Sequence, residues 1–226
     1  GWGLHCINIT TGELVWKIAN PMVQGAIADG YLTAANSWDG YMYVFGKGKS
    51  ATTVTASPKT TALGEQVLIE GTVLDMSPAQ SGTPCVSKES MSLQMEYLHL
   101  QRPIGGIWNN ETITGVPVTL TALDSNGNTE TIGTVTTNGY YGTFSLAWTP
   151  PIEGTYTIMA SFVGDESYGS SGAATAITVG PAPTAAPTQE PVEAPDNTPI
   201  FNAIIIAAVA IILAVAIATI LILRKR

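Results

Sequence analysis

The chain has 226 residues, 45% of them hydrophobic, and a formal net charge of −8 at pH 7; at about 150 residues per domain it has room for one or two. Three of its nine basic residues are the terminal Arg224, Lys225 and Arg226, so the other 223 residues carry six basic against 17 acidic side chains. A surface that acidic repels phosphate backbones and excludes a nucleic-acid partner, and the recurrence of Val, Ile, Leu and aromatic residues excludes disorder of the whole chain.

Residues 1–48 read as short strands with turn punctuation. Positions 2–9 alternate loosely, Thr11-Gly12-Glu13 turns the chain, and Leu14-Val15-Trp16 continues it. Asp29-Gly30 and Asp39-Gly40 are hairpin signals, and the apolar runs 31–35 and 41–45 follow them. The pattern predicts about five strands and no helical period.

Residues 52–179 form a second β-rich segment with seven strand candidates, at 52–56, 66–73, 116–123, 130–135, 142–148, 155–162 and 173–179. Even positions from Tyr156 to Phe162 are apolar and odd ones mostly polar, the mark of a strand with one buried face. Phe144, Leu146 and Trp148 share a face in the same way. Because consecutive strands usually neighbour one another, both rows are expected in one core, side by side. Asn126-Gly127 and Asn138-Gly139 read as hairpin turns. Seven short strands of this kind read as a sandwich. An insertion over residues 75–114 breaks the β pattern. Within it 87–101 reads as a helix, with Ser87 as N-cap, Glu89 in the first turn and Pro103 as the stop. Met91, Met95 and Leu98 fall on one helical spacing, Leu93, Tyr97 and Leu100 on another. A cover over an edge or end of the sandwich is the first expectation, a Met-rich partner-binding helix the second.

Residues 180–199 hold six prolines among Ala, Thr and Glu, without Lys or Arg. Such a linker is extended and semi-rigid, about 3.1 Å per residue where it is polyproline II. Residues 200–223 carry no charge, and only Asn202 and Thr219 among them are polar. That exceeds the ~20 residues a membrane-spanning helix needs. It excludes a purely soluble protein, and the lack of a second such run excludes a multi-span transporter. Arg224, Lys225 and Arg226 then read as the membrane stop on the cytoplasmic side, residues 224–226 as the tail. The expected location is the plasma membrane, crossed once, with the ectodomain outside. The chain starts at Gly1 without a signal peptide, so the expectation is a C-terminal piece of a longer protein.

Catalytic spacing is sparse. His5 and His99 have no partner at metal-ligand distance, and no nucleophile elbow or phosphate loop occurs. Asp165 and Glu166 offer two carboxylates, short of the 6–8 oxygens that Ca²⁺ takes. No metal or cofactor is expected, and Cys6 and Cys85 are too few for a disulfide framework. Two sequons, Asn8-Ile9-Thr10 and Asn110-Glu111-Thr112, are glycosylation candidates in an extracellular chain. Asn110 lies in the insertion loop and is the better placed. Asn8 lies at a strand end, where a glycan fits less easily.

Leu4-His5-Cys6-Ile7-Asn8-Ile9-Thr10-Thr11-Gly12-Glu13-Leu14-Val15-Trp16 resembles the repeat of pyrroloquinoline-quinone-type β-propellers, with Asn8 in place of the usual Asp. Ala26 to Leu32 and Asp39 to Val44 resemble the next blade, so residues 1–48 would hold one to one and a half blades of a ring that needs 4–8. Glu153-Gly154-Thr155-Tyr156-Thr157 and Phe162-Val163-Gly164-Asp165-Glu166-Ser167-Tyr168 resemble the last hairpin of prokaryotic Ig-like surface domains, with Tyr156 as a corner tyrosine. The full order is similar to archaeal cell-surface propeller proteins. The resemblance implies an all-β ectodomain: a partial β-propeller, an Ig-like β-sandwich with a helical insertion, a Pro-rich linker and one C-terminal transmembrane helix. It also implies a membrane-anchored protein that binds an extracellular protein or glycan. The alternative is a quinoprotein-type oxidoreductase with its active site in further N-terminal blades. None of that enzyme's ligands matches a residue here, and fold does not imply function.

Overall fold

The computed structural model of the chain describes residues 3–19, 21–100, 112–183 and 196–225. It divides into two compact units, Gly1–Pro183 and Thr184–Arg226. Among the described residues the first is mostly β, and the second holds an apolar helix.

Five strands fall within the first 48 residues, as the turn signals imply. β1 (Leu4–Ile7) and β2 (Leu14–Ile18) pair antiparallel. β3 (Met22–Ala28), β4 (Tyr31–Asn36) and β5 (Met42–Phe45) form a sheet in that order. Asp29 and Gly30 have φ of 51° and 80°, the left-handed pair that a tight hairpin matching strand twist requires. Trp16 of β2 stacks on Phe45 of β5 with ring centroids 5.6 Å apart, so the two small sheets touch through these rings. Ile18 and Ala34 are fully buried.

The next eight strands build two sheets around one core. They are β6 (Ser50–Ser57), β7 (Thr60–Ala62), β8 (Val67–Asp75), β9 (Thr114–Leu123), β10 (Thr129–Asn138), β11 (Thr143–Trp148), β12 (Gly154–Phe162) and β13 (Ser171–Gly180). The sheet orders are β11-β8-β6 and β10-β9-β12-β13-β7. Seven of the eight coincide with the sequence candidates. The eighth, β7, pairs parallel with β13 and at three residues is too short to show a period. Val67, Ile69, Val73, Val116, Val118, Leu120, Ile158 and Phe162 fill the space between the sheets. Each such side chain contributes about 1.5–3 kcal/mol by leaving water.

Two expectations about neighbours are corrected. β11 and β12 do not pair: β11 lies beside β8, and β12 lies between β9 and β13. The prolines at 150 and 151 lie in their connection, where a ladder cannot continue, and the chain passes to the facing sheet. The two aromatic rows therefore meet the core from opposite sides, with Trp148 edge-on to Tyr156 at 5.2 Å. Asn138-Gly139 likewise does not close a hairpin, because β10 and β11 belong to different sheets. Asn126-Gly127 does close one, between β9 and β10. Gly127 has a φ of 87°, and Asp124 Oδ1 accepts the N–H groups of Asn126 and Asn128, each at 2.8 Å.

The insertion carries a 3-10 turn at Lys88–Ser90 and then α1 (Met91–Leu100). Ser87 holds the N-cap position but makes no side-chain cap bond. Its hydroxyl lies 3.4 Å from that of Ser90 instead. The side that is covered also differs from the one the apolar spacing predicts: Ser90 and the polar Gln94 are buried, while Tyr97 is exposed. Lys17 of β2 donates its N–H to Ser92 Oγ at 3.1 Å, and Met91 packs on the two-sheet core. α1 thus ties the N-terminal strands to the larger unit. In the second unit, α2 (Thr198–Leu223) has 26 residues, with Pro199 in its first turn. Pro suits that position because its missing N–H would be unpaired there anyway.

Candidate functional site

The register of the β3–β5 sheet sorts its residues onto two faces. Val23 pairs with Ala35, Ala35 with Met42 and Thr33 with Val44, so Val23, Ala35, Met42 and Val44 share one side. Leu32, Ala34, Tyr43 and Phe45 share the other, where Trp16 packs. The first side is bare: Val23, Met42 and Val44 are 66%, 62% and 62% exposed. β5 is apolar on both faces, a pattern that belongs to strands covered on both sides. An exposed apolar row of this kind is a candidate interaction surface.

The hairpin tip beside this row is rigidly built. Asn36 is buried and donates Nδ2–H to Asp39 Oδ2 at 2.8 Å. The Tyr43 hydroxyl donates to Asp39 Oδ2 at 2.7 Å and the Tyr41 N–H to Asp39 Oδ1 at 2.9 Å. Trp38 donates its N–H to Asn36 Oδ1 at 2.9 Å, and its side chain is 84% exposed. Partial desolvation raises the pKa of the Asp39 carboxyl. The bonds from Tyr43, Tyr41 and Asn36 outweigh it and hold the group below its ordinary value. The sequence marked Asp39 only as a turn residue; the adjacent Asn36 and Tyr43 were the signal that its carboxylate is a hub.

Among the described residues the remaining titratable groups do not gather into a reactive set. Asp165 Oδ1 accepts the N–H groups of Ser167 and Tyr168 at 2.7 and 2.8 Å, which makes it a turn carboxylate. Glu166 pairs with Lys88 at 3.1 Å on the surface. Lys47, Lys88, Asp165, Glu166 and Ser167 line a shallow groove. Among the described residues no three His, Cys, Asp or Glu side chains group as metal ligands. Cys6 and Cys85 are both free. Burial pushes the Cys85 thiol up to about 12, with Asp75 and Asp165 adding to it, so it stays protonated and unreactive. Burial, and next Cys85, also raise the Tyr168 hydroxyl. His5 is exposed on β1, and the side chain of His99 lies outside the described residues.

Of the other positions that the sequence singles out, Asn8 sits one residue beyond β1 on an exposed loop. Asn110 lies outside the described residues, as does Arg226. Arg224 caps α2, donating its N–H to Ile220 O, and Lys225 follows it. Most of the linker, residues 184–195, is also outside the described residues. α2 is the one helix among the described residues long and apolar enough to cross a membrane.

No family model and no curated protein matches the chain. Solved structures do match, weakly. A superoxide reductase (neelaredoxin) from Ignicoccus hospitalis is similar at 10% identity and a TM-score of 0.34, over 57% of this chain and 79% of that one. A CARDB domain from Pyrococcus furiosus, solved with two metal ions, is similar at 15% identity and a TM-score of 0.32, over 59% and 94%. A β-glucosidase from Listeria innocua is similar at 14% identity and a TM-score of 0.31, over 64% and 17%. Likenesses this distant carry no argument about function and lend none to the propeller-repeat resemblance.

Proposed function

We propose that this chain is a membrane-anchored extracellular binding and structural protein. It crosses the plasma membrane once, with its β-rich unit outside and Arg224, Lys225 and Arg226 in the cytoplasm. The observation that carries the reading is α2: 26 residues, mean hydropathy 3.2 over its most apolar window, and basic residues directly after it. Basic flanks favour the cytoplasmic side.

The finer reading assigns residues 1–48 to a partial propeller of the quinone-type repeat and residues 52–179 to an Ig-like domain. Two observations support the second part. The sheet orders β11-β8-β6 and β10-β9-β12-β13-β7 match two antiparallel sheets of a sandwich with one added edge strand. The Tyr156 hydroxyl donates to Ile152 O at 3.0 Å and accepts the Ile152 N–H at 3.2 Å, the bonding of a corner tyrosine, which reaches back to backbone a few residues upstream. The bare apolar row on β3–β5 supports the first part, since a sheet that meets Trp16 of β2 on one face has a second face to give to another sheet. An extracellular protein or a glycan is the partner this role calls for.

Protease added to intact cells producing the chain tests the topology. Release of a soluble fragment by cleavage between residues 180 and 199 is the expected result. Full protection of the β unit until the cells are lysed overturns it.

A further inference from the structure

We infer that Asn8 is an N-glycosylation site and that its glycan shields the apolar tip of the β1–β2 loop. The inference rests on the extracellular placement proposed above. Ile7 and Ile9 flank Asn8 along the chain and Leu14 pairs with Ile7 across the loop base; the three are 56%, 100% and 51% exposed. A fully bare Ile between two polar residues gains nothing from packing, and clustered aliphatics of this kind promote association unless something covers them. The apolar faces of sugar rings supply such a cover while their hydroxyls keep the surface wet.

The loop holds the asparagine in one orientation. Asn8 donates its N–H to Glu13 O at 2.9 Å, and Gly12 donates to Asn8 O at 2.8 Å, closing a six-residue loop. Asn8 Oδ1 accepts the N–H groups of Thr10 at 2.9 Å and Thr11 at 3.3 Å. The carboxamide oxygen is therefore turned into the loop, and Nδ2, across the same carbon, is turned out of it. Ile9 and Thr10, the other two positions of the acceptor pattern, are exposed as well. The strand end that made Asn8 look cramped in sequence is an open loop tip in the fold. Loop tips with exposed hydrogen bonds open at little cost, so a transferase can draw the three residues out.

The transfer needs a lipid-phosphate-linked oligosaccharide and a membrane transferase. Asn8 Nδ2 forms a bond to the anomeric carbon. The carbon–oxygen bond to the lipid phosphate breaks, its electron pair leaves with the phosphate, and one Nδ2 proton passes to a base on the transferase. The product is a neutral secondary amide, and nothing is oxidised or reduced.

The test produces the full chain behind an export signal in a cell that carries such a transferase, and weighs the tryptic peptide ending at Lys17. The expected result is a mass increase by whole sugar units that is absent in Thr10→Ala and retained in Thr10→Ser. A control acceptor is made by Tyr140→Thr. It places the same pattern after Asn138, whose Oδ1 accepts the N–H groups of residues 140 and 141 at 2.8 and 3.1 Å in a turn of the same design. A modified Asn138 beside an unmodified Asn8 overturns this inference and leaves the extracellular reading standing. A modification at Asn110 alone also overturns this inference; if none of Asn8, Asn110 and Asn138 is modified, the extracellular reading falls and takes the inference with it.

Discussion

Replacing Tyr156 by Phe, and separately by Ala, divides the hold of the two-sheet core into its polar and apolar parts. The Tyr156 side chain is 2% exposed. Its hydroxyl makes two hydrogen bonds to the backbone of Ile152, at 3.0 and 3.2 Å. Its ring meets Trp148 edge-on across the sheets, at 5.2 Å and 86°. Tyr156→Phe removes the hydroxyl and keeps the ring. Each bond is worth about 1 kcal/mol net, and the exposed Ile152 backbone regains part of that from water, so the expected loss is about 1–1.5 kcal/mol. Tyr156→Ala removes the ring as well, at about 3–5 kcal/mol, of which the aromatic pair supplies about 0.5–1.5 kcal/mol. The assay is urea and thermal unfolding of the chain ended after Pro183, the last residue of the first compact unit, followed by tryptophan fluorescence. At about 2–4 °C per kcal/mol, the Phe variant should melt about 3 °C lower and the Ala variant about 10–15 °C lower. A Phe variant as damaged as the Ala variant would refute the claim that the ring dominates. An Ala variant within about 1 kcal/mol of the parent would place Tyr156 outside the core.

The hydrogen bonds that Asp39 accepts stabilise its charged form. The stability they contribute is present above the unfolded value near 3.8 and is lost as pH falls through the lower folded value. Amide signals of Trp38 and Tyr41 should titrate with a midpoint below pH 3.8; a midpoint above that counts against the network. Gly115→Ala should be costly, because a Cβ there would lie 2.0 Å from Thr137 Oγ1 and 2.2 Å from Thr137 O. β9 and β10 would have to separate, and overpacking of this kind costs about 1–3 kcal/mol. Gly133→Ala, whose Cβ would meet only Leu146 Cδ2 at 3.3 Å, should cost clearly less in the same melt, and equal losses would dismiss the steric account.

Some elements were legible because their information is local. The alternation from Tyr156 to Phe162 carries both the strand and its buried face, since side chains on a strand point alternately to its two sides. The 24 uncharged residues at 200–223 carry the helix, because a helix bonds its backbone groups within its own segment and so suits a run with no polar partners of its own. Gln94 was not legible: its burial is set by what α1 packs on, and its Oε1 has no hydrogen-bond partner among the described residues. The three residues of β7 showed no pattern of their own, since their strand exists through pairing with β13.

By itself the amino-acid sequence determined the strand-rich composition, the turn at Asn126-Gly127, the aromatic rows and the long apolar helix, each of which follows from periods, composition and φ requirements that are local to a segment. The tertiary structure alone decided that β11 and β12 face each other across a core instead of pairing, that Asp39 gathers Asn36, Tyr41 and Tyr43, and that one apolar face of β3–β5 stays bare. The physical reason is common to all three. Period marks which side of a strand is apolar, but which surface meets that side depends on where the chain crosses between sheets. Contacts between residues far apart in sequence settle that, and no short stretch encodes them.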